Sequence, residues 1–271
     1  MKSNKLVSII IPTYNSSPWI KSCLTSIQKQ TYPSIEVIIV DNFSEDDTVD
    51  IATEFNTRII KKRSERAIAR NEGINHSNGT YILSLDSDME LETDVVTECV
   101  HIFENHIKAG GVVIPEISFG KSYWVKVRNY ERSFYEHTKI ESARFFNKTL
   151  IEKVSGYEED IVFFEESTLP QKIEKLGYDI YLRINSHIIH HEDNFDILRW
   201  LKKKFYYAQH IGIYQKKYGS YANDQMNPFY RFDVFLKNKN KRFFSKPFLA
   251  FGVVALKTLE YLFSGLGIIF S

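Results

Sequence analysis

Two short runs of branched apolar residues, Leu6-Val7-Ser8-Ile9-Ile10-Ile11 and Glu36-Val37-Ile38-Ile39-Val40, constrain this chain more than any other feature. A strand with one face in water alternates apolar and polar residues, whereas a near-continuous run needs cover on both faces. Such strands belong to parallel sheets, and parallel neighbours need a crossover, usually a helix. Residues 17–30 supply it, with Trp19, Ile20, Leu24 and Ile27 at helical spacing. The alternation then continues. Asp41-Asn42-Phe43-Ser44 forms a turn, and Asp46 or Asp47 can cap a helix whose apolar face is Val49, Ile51, Ala52 and Phe55. Residues 58–61 read as a third strand and 65–76 as a third helix, after which Asn78-Gly79 turns into a strand ending at Asp86. Alternation through residue 90 is the pattern of a nucleotide-binding half-sheet.

Beyond residue 90 the spacing predicts a helix over 93–105, a strand over 111–115, a helix over 167–176 stopped by Gly177, and strands over 179–184 and 187–191. Residues 118–144 are rich in aromatics (Tyr123, Trp124, Tyr130, Phe134, Tyr135) without a clear period, and read as a mobile lid or an acceptor wall. A long basic helix is expected over 197–218. With 43% apolar and 25% charged residues in 271, a disordered chain is excluded. Cys23 and Cys99 both fall in expected helices with no C-x-x-C pair, which points to reduced core thiols in a cytoplasmic protein.

The chemistry gathers at strand ends. The run Tyr81-Ile82-Leu83-Ser84-Leu85 leads directly into Asp86-Ser87-Asp88. In open α/β sheets ligands sit outside the carboxyl ends of the strands. Paired hard oxygens there suit a divalent cation bridging phosphates. Thr13 to Asn15 follow the first strand and Asp41 closes the second. Arg66 and Arg70 lie four apart on one helical face, where a planar guanidinium suits a diphosphate.

Four motifs in this order carry a resemblance: Val7-Ser8-Ile9-Ile10-Ile11-Pro12-Thr13-Tyr14-Asn15, Val40-Asp41-Asn42-Phe43-Ser44-Glu45-Asp46-Asp47-Thr48, Ala69-Arg70-Asn71-Glu72-Gly73 through Asn78-Gly79-Thr80-Tyr81, and Leu85-Asp86-Ser87-Asp88. The chain resembles glycosyltransferase family 2, inverting enzymes of the GT-A fold that use nucleotide sugars. The resemblance implies an α/β GT-A fold with a mostly parallel central sheet flanked by helices. Residues 1–192 would form the catalytic domain, 1–90 its nucleotide-binding half and 91–192 its acceptor half. Residues 193–271 would form a helical, membrane-associating extension.

The resemblance also assigns roles. Pro12, Thr13, Tyr14, Asn15, Asp41, Arg66, Arg70, Asp86 and Ser87 would bind the donor, a nucleotide-diphosphate sugar of UDP or GDP. Asp86 and Asp88 would hold Mn²⁺ or Mg²⁺, joined by either His190 or His191, since alternation along a strand turns only one of them to the site. Glu166, in Phe164-Glu165-Glu166-Ser167-Thr168, aligns with the general base. This chain has Glu166 and Thr168 where relatives commonly carry Asp. The acceptor would be a glycan or a polyprenyl-linked carrier, as in envelope glycan or glycoprotein assembly, with no nucleic-acid partner.

Charge is unevenly spread. Residues 199–246 hold 12 Lys or Arg against Asp224 and Asp233, although the whole chain carries only +1. After the basic run Lys237, Lys239, Lys241, Arg242 and Lys246 come 23 residues, 248–270, with only one Lys (Lys257) and one Glu (Glu260). These two lie three apart and can pair on one helical face. Such a helix is expected to lie in the interface of an anionic membrane on the cytoplasmic side. A nucleotidyltransferase is the rival enzyme, although Pro12-Thr13-Tyr14-Asn15-Ser16-Ser17 lacks the glycine-rich basic loop expected of one. A non-catalytic membrane-docked scaffold is the other alternative, and the acidic motifs it would have lost are intact.

Overall fold

The computed structural model describes residues 4–138, 140–192, 195–236 and 240–270. Tertiary contacts divide the chain into two units. One comprises Met1–Glu116, Ser142–Glu159 and Glu165–His191, the other Ile117–Glu141, Asp160–Phe164 and Glu192–Ser271. In chain order the first unit opens with β1 (Val7–Thr13), α1 (Ile20–Gln28), β2 (Ile35–Asp41), α2 (Thr48–Thr53), β3 (Thr57–Lys61), α3 (Arg66–Asn75), β4 (Tyr81–Ser84), β5 (Met89–Leu91), α4 (Val95–Asn105) and β6 (Val112–Val113). Next along the chain are β7 (Glu116–Phe119) and α5 (Tyr123–Arg132). Then β8 (Phe145–Asn147), α6 (Lys148–Lys153), α7 (Glu165–Glu174), β9 (Leu182–Arg183) and β10 (Ile188–His191) follow. The second unit ends with α8 (Ile197–Gln209), α9 (Ile211–Met226), α10 (Pro228–Leu236), α11 (Asn240–Phe244) and α12 (Pro247–Ile269).

The first unit is built on a seven-stranded sheet of order β3-β2-β1-β4-β8-β6-β9. The first four strands run parallel, as the β-branched runs require, and β8 runs antiparallel to both β4 and β6. Register sets Thr13 beside Asp41 and Ile10 beside Ser84. The strand order reverses around β1, so the loops after β1, β2 and β4 open on one edge, where such sheets bind ligands. One face of the sheet packs on α1 and α4 through Ile9, Ile11, Leu24, Val96 and Cys99. The other face packs α3, α6 and α7 through Ile10, Ile82, Ile74, Ile151 and Leu169. Gly73 lets α3 lie directly on β1, because a Cβ there would stand 2.3 Å from the Ile10 side chain. Cys23 and Cys99 are both buried thiols, as expected.

The second unit is helical, with a core of Val127, Phe134, Phe235, Phe243, Val253 and Leu256. Its members differ from the sequence reading in identifiable places. The aromatic segment holds a regular helix, α5, whose buried face is Val125, Val127 and Tyr130. The long basic helix breaks at His210, which caps both α8 and α9, and α9 kinks at Gly219 with φ of +47°. Segments 117–141 and 160–164 group with the C-terminal helices. Lys237 and Lys239 of the basic run lie outside the described residues.

Candidate active site

The turn after β2 is built around Asp41. Its fully buried carboxylate accepts hydrogen bonds from Thr13 Oγ1 (3.1 Å), Ser44 N (3.0 Å) and Ser44 Oγ (2.6 Å). Asn15 N donates to Ser44 Oγ and Asn15 Oδ1 accepts from Glu45 N, locking the β1 and β2 loops together. Both loops carry strained backbone, with Asn15 at φ +47° and Phe43 at φ +57°. Such conformations persist where surrounding bonds over-determine them and cluster at ligand sites. Tyr14 stands outward beside them, 58% exposed, and follows Pro12 and Thr13 at the end of β1. Ser16 Oγ hydrogen-bonds Ser87 Oγ at 2.8 Å, tying the β1 loop to the Asp86-Ser87-Asp88 turn that lies between β4 and β5.

Arg70 is the hub of the acidic turn. It is 2% exposed; its Nη2 donates to Asp86 Oδ1 at 3.0 Å and its Nη1 to Glu165 Oε1 at 3.2 Å. Arg66, more exposed, reaches the same Glu165 oxygen through Nε at 3.1 Å. Burial pushes the Asp86 carboxyl up, yet Arg70 and then Arg144 hold it well below the usual carboxylate range. Asn71, next in the motif, clamps the Gly156-Tyr157 turn: its Nδ2 donates to Tyr157 O and its Oδ1 accepts from Tyr157 N.

Glu165 and Glu166 open α7. Burial, then the neighbouring Glu166, pushes the Glu165 carboxyl up to about 8. Burial acts the same way on Glu166, but contact with Glu165 and the charges of Arg66 and Arg70 hold it below its ordinary value. The pair therefore keeps a charge on Glu166 near neutrality. Pro170 sits inside α7 and lacks the N–H that would bond to the carbonyl four residues back. That carbonyl belongs to Glu166 and is taken instead by Ser142 Oγ at 2.9 Å. Thr168, in place of the commoner Asp, is buried and structural: its Oγ1 donates to Glu165 O and accepts from Glu158 N.

The antiparallel β5–β10 pair separates the two histidines. His190 Nε2 lies 3.3 Å from Asp88 Oδ2, while His191 turns to the other side and meets Glu90 Oε1 at 2.6 Å. Asp88 and His190 thus offer a hard oxygen and an imidazole nitrogen side by side. Among the described residues no three His, Cys, Asp or Glu form a ready metal cage. That donor set fits a divalent cation that takes a few protein ligands and completes its shell with phosphate oxygens. Two residues escaped the sequence reading. Arg144, at the entry to β8, sends Nε (3.0 Å) and Nη2 (2.6 Å) to Glu116 Oε1 and Nη1 to Asp86 Oδ2 at 3.5 Å. No motif spacing links positions 28 apart; β8, paired with β4 and β6, brings in Arg144, and β7, in the smaller sheet, brings in Glu116.

A family model described as glycosyl transferase family 2 matches residues 8–157. The chondroitin synthase of Escherichia coli is 29% identical over 197 residues, covering 68% of this chain and 27% of that protein. The chain spans less than a third of the length of several curated relatives, 14% in one of them. The mannosyltransferase PcManGT from Pyrobaculum calidifontis, solved with GDP-Man and Mn²⁺, shares the fold at TM-score 0.63 and 20% identity, over 95% of this chain and 76% of that one. TarS of S. aureus, residues 1–349 with UDP, does so at TM-score 0.58 and 16% identity, over 97% and 88%.

Proposed function

Since the chain belongs to glycosyl transferase family 2, we propose that it moves a sugar from a UDP- or GDP-linked donor to a glycan or polyprenyl-linked acceptor with inversion at the anomeric carbon. The observation that carries this reading is the buried Arg70 bridge between Asp86 and Glu165, which fastens the acidic turn to the head of α7. Residues 1–90 handle the donor: Pro12, Thr13, Tyr14 and Asn15 with Asp41 form the nucleoside end, and Arg66, Arg70 and Ser87 the diphosphate end. Asp88 and His190, with Asp86, hold Mn²⁺ or Mg²⁺; PcManGT, solved with Mn²⁺, supports that choice. A cation held there would supply positive charge to offset the diphosphate. Arg66, bonded to Glu165 with a side chain 41% exposed, lies on the open side of the cluster, whereas Arg70 is buried. Glu166, kept ionised by the neighbours described above, takes the proton from the acceptor hydroxyl as the new bond forms. Residues 91–192 wall the acceptor.

The test is Glu166→Gln. Binding of UDP or GDP with Mn²⁺, read by calorimetry, should be retained while turnover falls by 10²-fold or more, the usual worth of a positioned base. Near-normal turnover refutes the role of Glu166.

The reaction is further proposed to occur at the cytoplasmic face of an anionic membrane, through the extension 193–271. Support comes from the arrangement of α12. Its two charged residues face inward, Lys257 Nζ bonding Glu260 Oε2 (2.7 Å) and Glu131, and Lys204 bonding Glu260 (2.6 Å). Phe248, Phe251 and Val254, then Leu262, Leu266 and Ile269, recur at steps of three or four with Thr258 between the two sets, and all are exposed. Exposed Lys241, Arg242 and Lys246 precede them, so an apolar stripe with a basic end meets acyl chains and anionic headgroups.

A further inference from the structure

Glu116 and Arg144 belong to none of the motifs, yet they are joined to both sides of the acidic turn. Arg144 N donates to Val112 O and Arg144 O accepts from Ser84 N, so its backbone is fixed between β6 and β4. Its guanidinium sends two donors to one oxygen of Glu116, Oε1, and a third toward Asp86. The second Glu116 oxygen, Oε2, is left 3.8 Å from His190 Nδ1. His190 is therefore flanked by Glu116 at Nδ1 and by Asp88 at Nε2.

We propose that Glu116 is a positioning residue for the cation site, held by Arg144, and that its Oε2, 3.8 Å from His190 Nδ1 and so beyond direct hydrogen-bond length, biases the ring electrostatically to carry its proton on Nδ1. The inference rests on the reading of Asp88 and His190 as cation ligands. A neutral imidazole carries one N–H, and only a bare nitrogen can ligate. For Nε2 to point a lone pair at the space beside Asp88, the proton must sit on Nδ1, on the side of that carboxylate. Carboxylates behind ligating histidines do this work generally, fixing both tautomer and ring angle. Arg144 makes the acceptor rigid: with both donors on Oε1, the carboxylate cannot rotate Oε2 away from His190 without losing them. By touching Asp86 as well, the same guanidinium sets the spacing between the acidic turn and β10.

Glu116→Gln keeps the size of the side chain and removes its charge. Two measurements test it. Mn²⁺ titrated into the full chain with UDP, and separately with GDP, should bind about 10- to 100-fold more weakly in the variant, the range typical of lost carboxylate support behind a ligating histidine. Nucleotide binding without cation should be unchanged. The ring tautomer of His190, read by ¹⁵N–¹H correlation on histidine-labelled protein, should shift from Nδ1–H toward Nε2–H. Arg144→Lys, which keeps the charge but cannot send two hydrogen bonds to one oxygen, should move both readouts the same way by less. Unchanged Mn²⁺ affinity in Glu116→Gln, or an unchanged His190 tautomer, overturns the proposal. If the wild type binds no Mn²⁺ with either nucleotide, the cation reading itself fails, and the tautomer measurement still decides whether Glu116 orients the ring.

Discussion

Changing Phe248 and Phe251 to serine tests the membrane reading of α12 at its most exposed point. The two rings are 83% and 74% exposed, so neither contributes much to the fold. Burying a phenylalanine side chain fully is worth about 1.5–3 kcal/mol. With roughly three-quarters of each ring available to enter acyl chains, the pair should supply about 3 kcal/mol of membrane affinity. At about 1.4 kcal/mol per tenfold, the double variant should partition onto vesicles roughly a hundredfold less well. Sedimentation with vesicles of phosphatidylcholine and phosphatidylglycerol in equal parts measures this, with phosphatidylcholine alone reporting the share owed to Lys241, Arg242 and Lys246. The melting temperature should stay nearly constant, since exposed substitutions seldom alter stability by more than about 0.5 kcal/mol. Equal recovery of variant and wild type on the mixed vesicles would refute the reasoning, as would failure of the wild type to bind them.

The charges beneath that stripe and one acidic loop residue give two further expectations. Glu131→Ala leaves Lys257 buried with only Glu260, and breaking one partner of a buried pair costs about 3–5 kcal/mol. Calorimetry should show a melting drop on the order of 10 °C, and an unchanged melting point would mean the pair carries no stability. Burial pushes the Asp46 carboxyl up, but hydrogen bonds from Ser17 N, Thr48 N and Thr48 Oγ1 together hold it at about 2, below its ordinary 3.8. Its folded-state value is depressed, so its contribution is present above the ordinary value and lost as pH falls toward about 2. Asp46→Asn keeps Oδ1 for Thr48 but replaces the acceptor facing Ser17 N with a donor, and should cost about 1 kcal/mol near neutral pH. The gap to wild type should close on acidification, and a gap constant with pH in denaturant unfolding would contradict the assignment.

The nucleotide half was legible because its signals are local. Ile9 to Ile11 and Ile38 to Val40 are buried on both sides, and no other arrangement covers such runs. Arg70 was legible from its motif, and the Lys257–Glu260 pair from a spacing of three. Legibility ended where structure depends on partners far along the chain. β6 and β9 are two residues each, too short for any period to show, and the expected strands over 111–115 and 179–184 shrink to them. The break at His210 has no proline, and Gly212 two residues on lies inside α9; at Gly219 a positive φ makes the kink. Glu116 and Arg144 look like ordinary surface charges until the strands carrying them are assembled. Asp41 shows the opposite case. Its carboxylate, expected to bind the donor, also accepts from Thr13 and Ser44 within the protein, contacts that its motif does not announce.

The inward network also bears on whether α12 crosses a bilayer or lies along it. At 23 residues it is long enough to span, since about 20 residues cover the hydrocarbon core. Spanning would require it to leave α5 and α8. Gly267 lies so close to α8 that a Cβ there would stand 2.4 Å from Phe205 O, and Gly252 packs as tightly on Tyr123 of α5. Departure would strip Lys257 and Glu260 of Glu131 and Lys204 and carry them to mid-membrane, where each costs roughly 3 kcal/mol or more. Lying flat keeps every one of those bonds and buries only the residues already facing outward. The proposed membrane face is therefore the outer side of a helix whose inner side walls the second unit.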